Sequence, residues 1–163
     1  AASGKSFFAE QLVKQTGKNR IYVATSQVFD DEMRQKVEDH KTQRGANWLT
    51  IEEPLDMAKA LVKATADDIV LIDCATLWLT NHLLAEHDLV AEQDRFLDAI
   101  AACPAEIVIV SNETGLGIVP DNALARRFRN AQGRLNQAIA AKADLVVFVA
   151  AGLPMVLKGS LPQ

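Results

Sequence analysis

Ser3-Gly4-Lys5-Ser6 stands directly before a helix-forming stretch and matches the second half of the phosphate-loop pattern G-x-x-x-x-G-K-[ST]. The chemistry of such a loop follows from its parts. Backbone N–H groups at a helix N-terminus wrap phosphate oxygens, the Lys5 ammonium reaches the β and γ positions, and the Ser6 hydroxyl is a ligand for Mg²⁺. The same residues also fit an ordinary flexible N-terminus. Asp73 bears on the choice, because it follows the apolar run Ile69-Val70-Leu71-Ile72, where a second, Mg²⁺-holding acidic motif belongs. Its plainer role is a strand-end carboxylate that makes a turn or a cap.

His40 is the informative histidine. An imidazole beside Lys41 and Arg44 can attack phosphorus as well as accept a proton, although a satisfied histidine on a semi-apolar helix face is the commoner outcome. His82 and His87 lie in another segment and make no metal-ligand spacing with His40, so both are assigned to structure or surface. Arg126, Arg127, Arg129 and Arg134 concentrate positive charge on one helix, with Arg127 and Arg134 on one face at i and i+7. They suit either an anionic substrate or a solvated surface. Glu113, at a strand end, is balanced between orienting a substrate or metal and shaping a turn.

The elements that must position these groups are read from periodicity. Residues 7–15 form a helix with Phe8, Leu12 and Val13 inward, and 20–24 a strand ending at Thr25-Ser26-Gln27, where open α/β sheets place ligands. Asp30 and Asp31 cap a helix to about residue 42, with Met33, Val37 and His40 on one face. A turn over 43–48, a short strand over 48–51 and a helix over 55–66 follow. Residues 69–72 and 107–110 read as buried parallel strands, joined by a mostly helical crossover over 77–102 that is interrupted near His87. A long helix from Pro120-Asp121 to about 143 has Leu124, Phe128, Ala131, Leu135 and Ile139 on its core face, and 145–149 is the last clear strand. Alternating strands and helices predict a mainly parallel sheet flanked by helices in one domain, 1–163.

The 163 residues are enough for one such domain and too few for two ordinary ones. Near-half hydrophobic content excludes a disordered or collagen-like chain. Seventeen basic against twenty-one acidic side chains, net −4, argue against nucleic acid as a partner. Cys74 and Cys103 form neither a disulfide framework nor a metal pattern, which fits a reducing compartment, the cytoplasm. No apolar run approaches the roughly 18 residues of a membrane span, so no transmembrane segment is expected. The chain opens without methionine on the loop itself, so we expect the first strand and first loop glycine to precede it in the intact gene product.

Taken together, these blocks resemble the bifunctional adenosylcobinamide kinase/adenosylcobinamide-phosphate guanylyltransferase family of cobalamin biosynthesis. The resemblance is carried by Ser3-Gly4-Lys5-Ser6, Tyr22-Val23-Ala24-Thr25-Ser26-Gln27, Lys36-Val37-Glu38-Asp39-His40-Lys41, Glu52-Glu53-Pro54 and Leu71-Ile72-Asp73-Cys74-Ala75-Thr76-Leu77-Trp78. It continues through Val110-Ser111-Asn112-Glu113-Thr114-Gly115-Leu116-Gly117 and Gly133-Arg134-Leu135-Asn136-Gln137, in order over nearly the whole chain. Ala2 stands where that family often has Arg, and Thr114 replaces a usual Val.

The resemblance implies a three-layer, RecA-like P-loop NTPase fold and a homotrimer. It implies that His40 is the residue guanylylated by GTP. Nucleotide contacts would come from Ser3, Gly4, Lys5, Ser6, Thr25, Ser26, Lys41, Thr42, Gln43, Arg44, Glu52 and Asp73, with Mg²⁺ on Ser6 and Asp73. Glu113, Arg127 and Arg134 are candidate substrate or phosphate contacts. The implied chemistry is phosphorylation of adenosylcobinamide by ATP or GTP, then transfer of GMP through histidine to adenosylcobinamide phosphate. A simpler P-loop small-molecule kinase and a nucleotide-gated interaction protein are the two other classes that these residues fit.

Overall fold

The computed structural model describes residues 2–27, 45 and 47–162. The helix expected over 30–42, with Met33, Val37 and His40, lies outside the described residues, as do Lys41, Thr42, Gln43 and Arg44.

Four strands, β1 (Asn19–Ala24), β2 (Trp48–Glu52), β3 (Asp68–Asp73) and β4 (Glu106–Val110), form one parallel sheet in the order β2-β1-β3-β4. Every residue of the Ile69 to Ile72 run is buried, as a strand covered on both faces requires. Alternation sorts the side chains. Tyr22, Ala24, Ile69 and Leu71 pack with Ala9 and Val13 of α1 (Lys5–Gln15) on one face. Ile21, Val23, Val70 and Ile72 pack on the other face against α2 (Met57–Leu61), α3 (Ala75–Leu84), α4 (Leu89–Ala102) and α5 (Ala123–Lys142). The result is a helix–sheet–helix sandwich, in which each fully buried Val, Leu or Ile contributes about 1.5–3 kcal/mol over an exposed one.

Several expectations change in detail. In α1 the buried apolar positions are Ala9 and Val13, while Phe8 and Leu12 are half-buried. The helix over 55–66 contracts to α2, because Asp56 caps it by accepting from the Lys59 N–H and the chain turns back after Leu61 to reach β3. The crossover breaks where expected, Asp88 capping α4 through Val90 and Ala91. Asn122 caps α5 in place of Asp121, its Oδ1 accepting from the Ala125 N–H at 2.7 Å, and Leu124 at the start of that helix is exposed.

The largest difference is at the C-terminus. Strand β5 (Val146–Ala150) does not extend the parallel sheet among the described residues; it pairs antiparallel with β6 (Leu153–Lys158) in a two-stranded sheet. The turn between them has Ala151 at φ 52° and Gly152 at φ 77°, the two positive angles that suit a tight hairpin. Among the described residues, no helix is long and apolar enough to cross a membrane.

Candidate active site

The parallel register carries β1, β3 and β4 to a common edge, where Ala24, Asp73 and Val110 lie in one row. The residues next in sequence therefore converge, in the place where an open α/β sheet receives ligands. Thr25 is 0% exposed. Its Oγ1 donates to the Cys74 carbonyl and accepts from the Cys74 N–H, each at 2.8 Å. Tyr22 Oη donates to Asp73 Oδ2 at 3.2 Å, orienting the carboxylate through one oxygen.

The loop arrives from α1. Gly4 precedes that helix at φ 92°, a conformation that L side chains resist, and a Cβ there would stand 3.0 Å from Gly152 Cα. The Gly152 N–H donates to the Ser3 carbonyl at 2.8 Å, so the β5–β6 turn braces the loop. A cavity of ≈ 610 Å³ runs along the loop and α1, lined by Ser3, Gly4, Lys5, Ser6 and the buried Glu10 among others. None of the strand-end residues lines it. Burial pushes the Cys74 thiol above its ordinary range, outweighing the backbone N–H groups of Leu77 and Thr76, which lower it. Cys74 is therefore protonated and inert at neutral pH.

Ser6 and Asp73 offer hard oxygen donors, and an Asp73 oxygen remains beyond the one that Tyr22 engages. Mg²⁺ takes one or two protein oxygens and completes its shell with phosphate and water, so this donor set fits it. Ser26 is half-buried at the same edge, and Glu52 is exposed at the end of β2, opposite Ala24. Its neighbour Glu53 is buried. Burial raises its pKa, but the Lys59 ammonium at 2.8 Å and the backbone N–H groups of Asp56 and Leu55 outweigh that and hold the carboxyl below its ordinary value.

The outer candidates separate. Glu113 accepts from the Gly115 N–H, and so shapes the turn after β4. Arg126 donates to the carbonyls of Pro120 and Asp121, and Arg129 to that of Gly115. Arg127 and Arg134 are exposed and hold no hydrogen bond or ion pair among the described residues.

Sequence reasoning missed the polar side chains beneath this edge. Asn81 Nδ2 donates to the carbonyls of Thr25 and Pro54 at 2.8 and 3.0 Å, fastening β1 to the β2–α2 connection. Gln132, 0% exposed, donates to Ser111 Oγ and Asn136 Oδ1, while Asn136 Nδ2 reaches the Asn112 carbonyl. The available signal was an amide on an otherwise apolar helix face.

A glycine loop at a helix N-terminus, beside an acidic strand end on a doubly covered parallel sheet, is the arrangement of nucleotide-dependent phosphotransferases. The comparisons with known proteins narrow that class. The family model described as cobinamide kinase / cobinamide phosphate guanyltransferase matches residues 1–157. The bifunctional adenosylcobalamin biosynthesis protein CobP of Pseudomonas aeruginosa is 46% identical over 162 residues, 98% of this chain and 94% of the relative. The bifunctional adenosylcobalamin biosynthesis proteins CobU of Salmonella typhimurium and Escherichia coli are 40% and 36% identical, each over 97% of this chain and 96% of the relative. The chain belongs to this family. It is a bifunctional enzyme with a kinase activity on adenosylcobinamide and a guanylyltransferase activity on adenosylcobinamide phosphate, the second running through a histidine intermediate.

Proposed function

We propose that both reactions are run from the strand edge and loop described above, on a RecA-like P-loop scaffold. In the kinase step Ser3, Gly4 and Lys5 hold the triphosphate of ATP or GTP, and Lys5 stabilises charge on the transferring γ-phosphoryl group. The hydroxyl of the aminopropanol arm of adenosylcobinamide attacks the γ-phosphorus, and the nucleoside diphosphate leaves. Ser6 and Asp73 are the residues that would hold Mg²⁺, which neutralises phosphate charge when bound. Tyr22 keeps the Asp73 carboxylate turned, and Thr25 acts as a positioning residue because its hydroxyl is bonded to the chain.

In the transferase step an imidazole nitrogen of His40 attacks the α-phosphorus of GTP; the P–N bond forms as the bond to pyrophosphate breaks. The phosphate of adenosylcobinamide phosphate then attacks the same phosphorus, releasing His40 and giving adenosylcobinamide-GDP. Ser26, Lys41, Thr42, Gln43, Arg44 and Glu52 contribute nucleotide contacts, and Glu113, Arg127 and Arg134 meet the anionic corrinoid substrate. The enzyme works in the cytoplasm as a homotrimer with the corrinoid at a subunit boundary.

The observation that carries this reading is that the Ser3-Gly4-Lys5-Ser6 loop opens α1, which packs on the face of β3, the strand that ends at Asp73. A paired-label assay tests it. With γ-labelled ATP the label must appear on adenosylcobinamide. With α-labelled GTP it must appear first on protein and then on the corrinoid. Label on the corrinoid from ATP with none retained on protein from GTP would leave a simple kinase.

A further inference from the structure

Outside the active site, the described residues bring one group of potential metal ligands together at the corner between α3 and α4. The ligand atoms of His82, His87 and Glu92 all lie within 4.8 Å of one another. His82 Nδ1 is 2.9 Å from His87 Nδ1 and 3.8 Å from Glu92 Oε2. We infer that these side chains form a binding site for a zinc-class divalent cation, distinct from the phosphate site.

The argument rests on what holds each ligand. His82 is 2% exposed, wedged against Trp78 with ring centroids 4.5 Å apart. Its Nε2 lies 3.2 Å from the Leu55 carbonyl, an acceptor only, so Nε2 carries the proton and Nδ1 presents its lone pair toward His87 and Glu92. A ligating histidine is commonly fixed in this way, by donating its other ring N–H to a carbonyl. Glu92 is likewise held by its outer oxygen: Oε1 accepts from Arg95 at 2.8 Å, while Oε2 faces His82. His87 sits on the exposed connection, its backbone N–H donating to the His82 carbonyl at 3.0 Å and its ring packed against that of His82 with centroids 5.1 Å apart.

Side-chain adjustment suffices to close the set. Ligands about 2.0–2.1 Å from a tetrahedral zinc ion stand about 3.3 Å apart, so the histidine nitrogens open slightly as His87 Nδ1 gives up the proton it shares with His82, and the carboxylate closes on His82 by about half an ångström and on His87 by up to about 1.5 Å. Two imidazoles and one carboxylate suit zinc and its neighbours rather than Mg²⁺, with water as the fourth ligand. His82 lies seven residues into α3 from Ala75, about 10 Å along the helix, which separates this corner from Asp73. The bound ion would pin the start of α4 to the end of α3 and, through the Leu55 carbonyl, to the β2–α2 connection.

The test uses the untagged full chain, stripped with a chelator that is then removed. Zinc is titrated in excess Mg²⁺ against a competing fluorescent chelator, and thermal unfolding is followed in parallel. We expect one zinc per chain and a raised Tm. His87→Ala should lower zinc affinity about a hundred-fold and abolish the Tm rise, and Glu92→Gln should lower affinity at least about tenfold. Both substitutions fall at exposed or half-buried side chains, so the folded state survives them; His40→Ala, as a control, should bind zinc like the parent. Absence of stoichiometric zinc on the parent chain, or unchanged affinity in either His87→Ala or Glu92→Gln, overturns the site.

Discussion

The hydroxyl of Thr25 is bonded twice to one residue, Cys74, donating to its carbonyl and accepting from its N–H at 2.8 Å each, and so ties the ends of β1 and β3 together. The carbonyl has a second partner in the Trp78 N–H at 3.1 Å, so the N–H depends more heavily on the hydroxyl. Thr25→Val keeps the shape and removes that acceptor. We expect it to cost about 1–3 kcal/mol in urea unfolding, and to lower both activities by letting Asp73 drift. Thr25→Ser should restore most of both. A valine variant as stable and active as the parent would remove Thr25 from this role.

Much of the sheet was legible because its signals are local. Ile69 to Ile72 is a continuous apolar run, and only a strand covered on both faces buries all of it. The placement of Ser3 to Ser6 before a helix and of Asp73 at a strand end was legible, because the apolar periodicity of α1 and the apolar run of β3 flank them directly. Strand β6 was not legible. Its register places Pro154 opposite Val149, its turn uses Ala151 at a positive φ where glycine or asparagine is the usual signal, and its side chains are exposed, so no buried alternation marks it. Asn81 and Gln132 were missed for a related reason: their value lies in carbonyls and amides supplied by distant segments. The same holds for His82 and His87, whose relation is set by a turn and by the Leu55 carbonyl rather than by a ligand spacing.

Lys5→Ala should reduce kcat/KM for the nucleotide in both reactions on the order of a hundred-fold, because it removes the positive charge from the phosphate cradle while leaving the core intact. Gly4→Ala should do comparable damage by another route, since φ 92° and the 3.0 Å approach to Gly152 both oppose a methyl group. Steady-state kinetics at subsaturating nucleotide, with circular dichroism to verify folding, separates the two. Unchanged rates for Lys5→Ala count against the loop.

Asp73→Asn keeps volume and one oxygen but loses the charge that a divalent cation requires. Its Mg²⁺ titration should shift to higher concentration by at least about tenfold, and Tyr22→Phe, which releases Oδ2 but keeps the carboxylate, should shift it less. Superimposable titration curves for parent and Asp73→Asn would exclude the carboxylate as a metal ligand.

Glu53 gives the enzyme an acid-sensitive joint. Its folded-state pKa is depressed below 4.5, with the Lys59 and backbone hydrogen bonds overcoming burial. The carboxylate's contribution is therefore full above 4.5 and is lost as pH falls through the lower folded value. Glu53→Gln retains an oxygen for the Leu55 and Asp56 N–H groups and loses the ion pair, so it should be about 1 kcal/mol less stable than the parent at neutral pH. The difference should vanish on acidification below that window. A gap independent of pH would show that the charge contributes nothing.

We propose His40 as the residue that carries the histidine intermediate, and the proposal has a sharp test. The chain has three histidines. Both ring nitrogens of His82 are engaged, one with His87 and one with Leu55, and the ring is buried, which leaves it poorly placed to displace pyrophosphate from GTP. In the sequence, His40 is followed by Lys41 and Arg44, cations suited to an α-phosphate, in one of the segments that carry the family resemblance. Incubation with α-labelled GTP should yield a protein-bound phosphoramidate, stable to base and labile to acid, with one pyrophosphate released per label and no need for cobinamide. His40→Ala should reduce that label to background while retaining kinase turnover, since γ-phosphoryl transfer does not pass through this nitrogen. His40→Asn, which keeps polarity and part of the volume, should behave alike, and matched thermal unfolding of the variants ensures that the loss is chemical. Peptide mapping then decides: GMP recovered on His82 or His87, or undiminished labelling of His40→Ala, overturns the assignment.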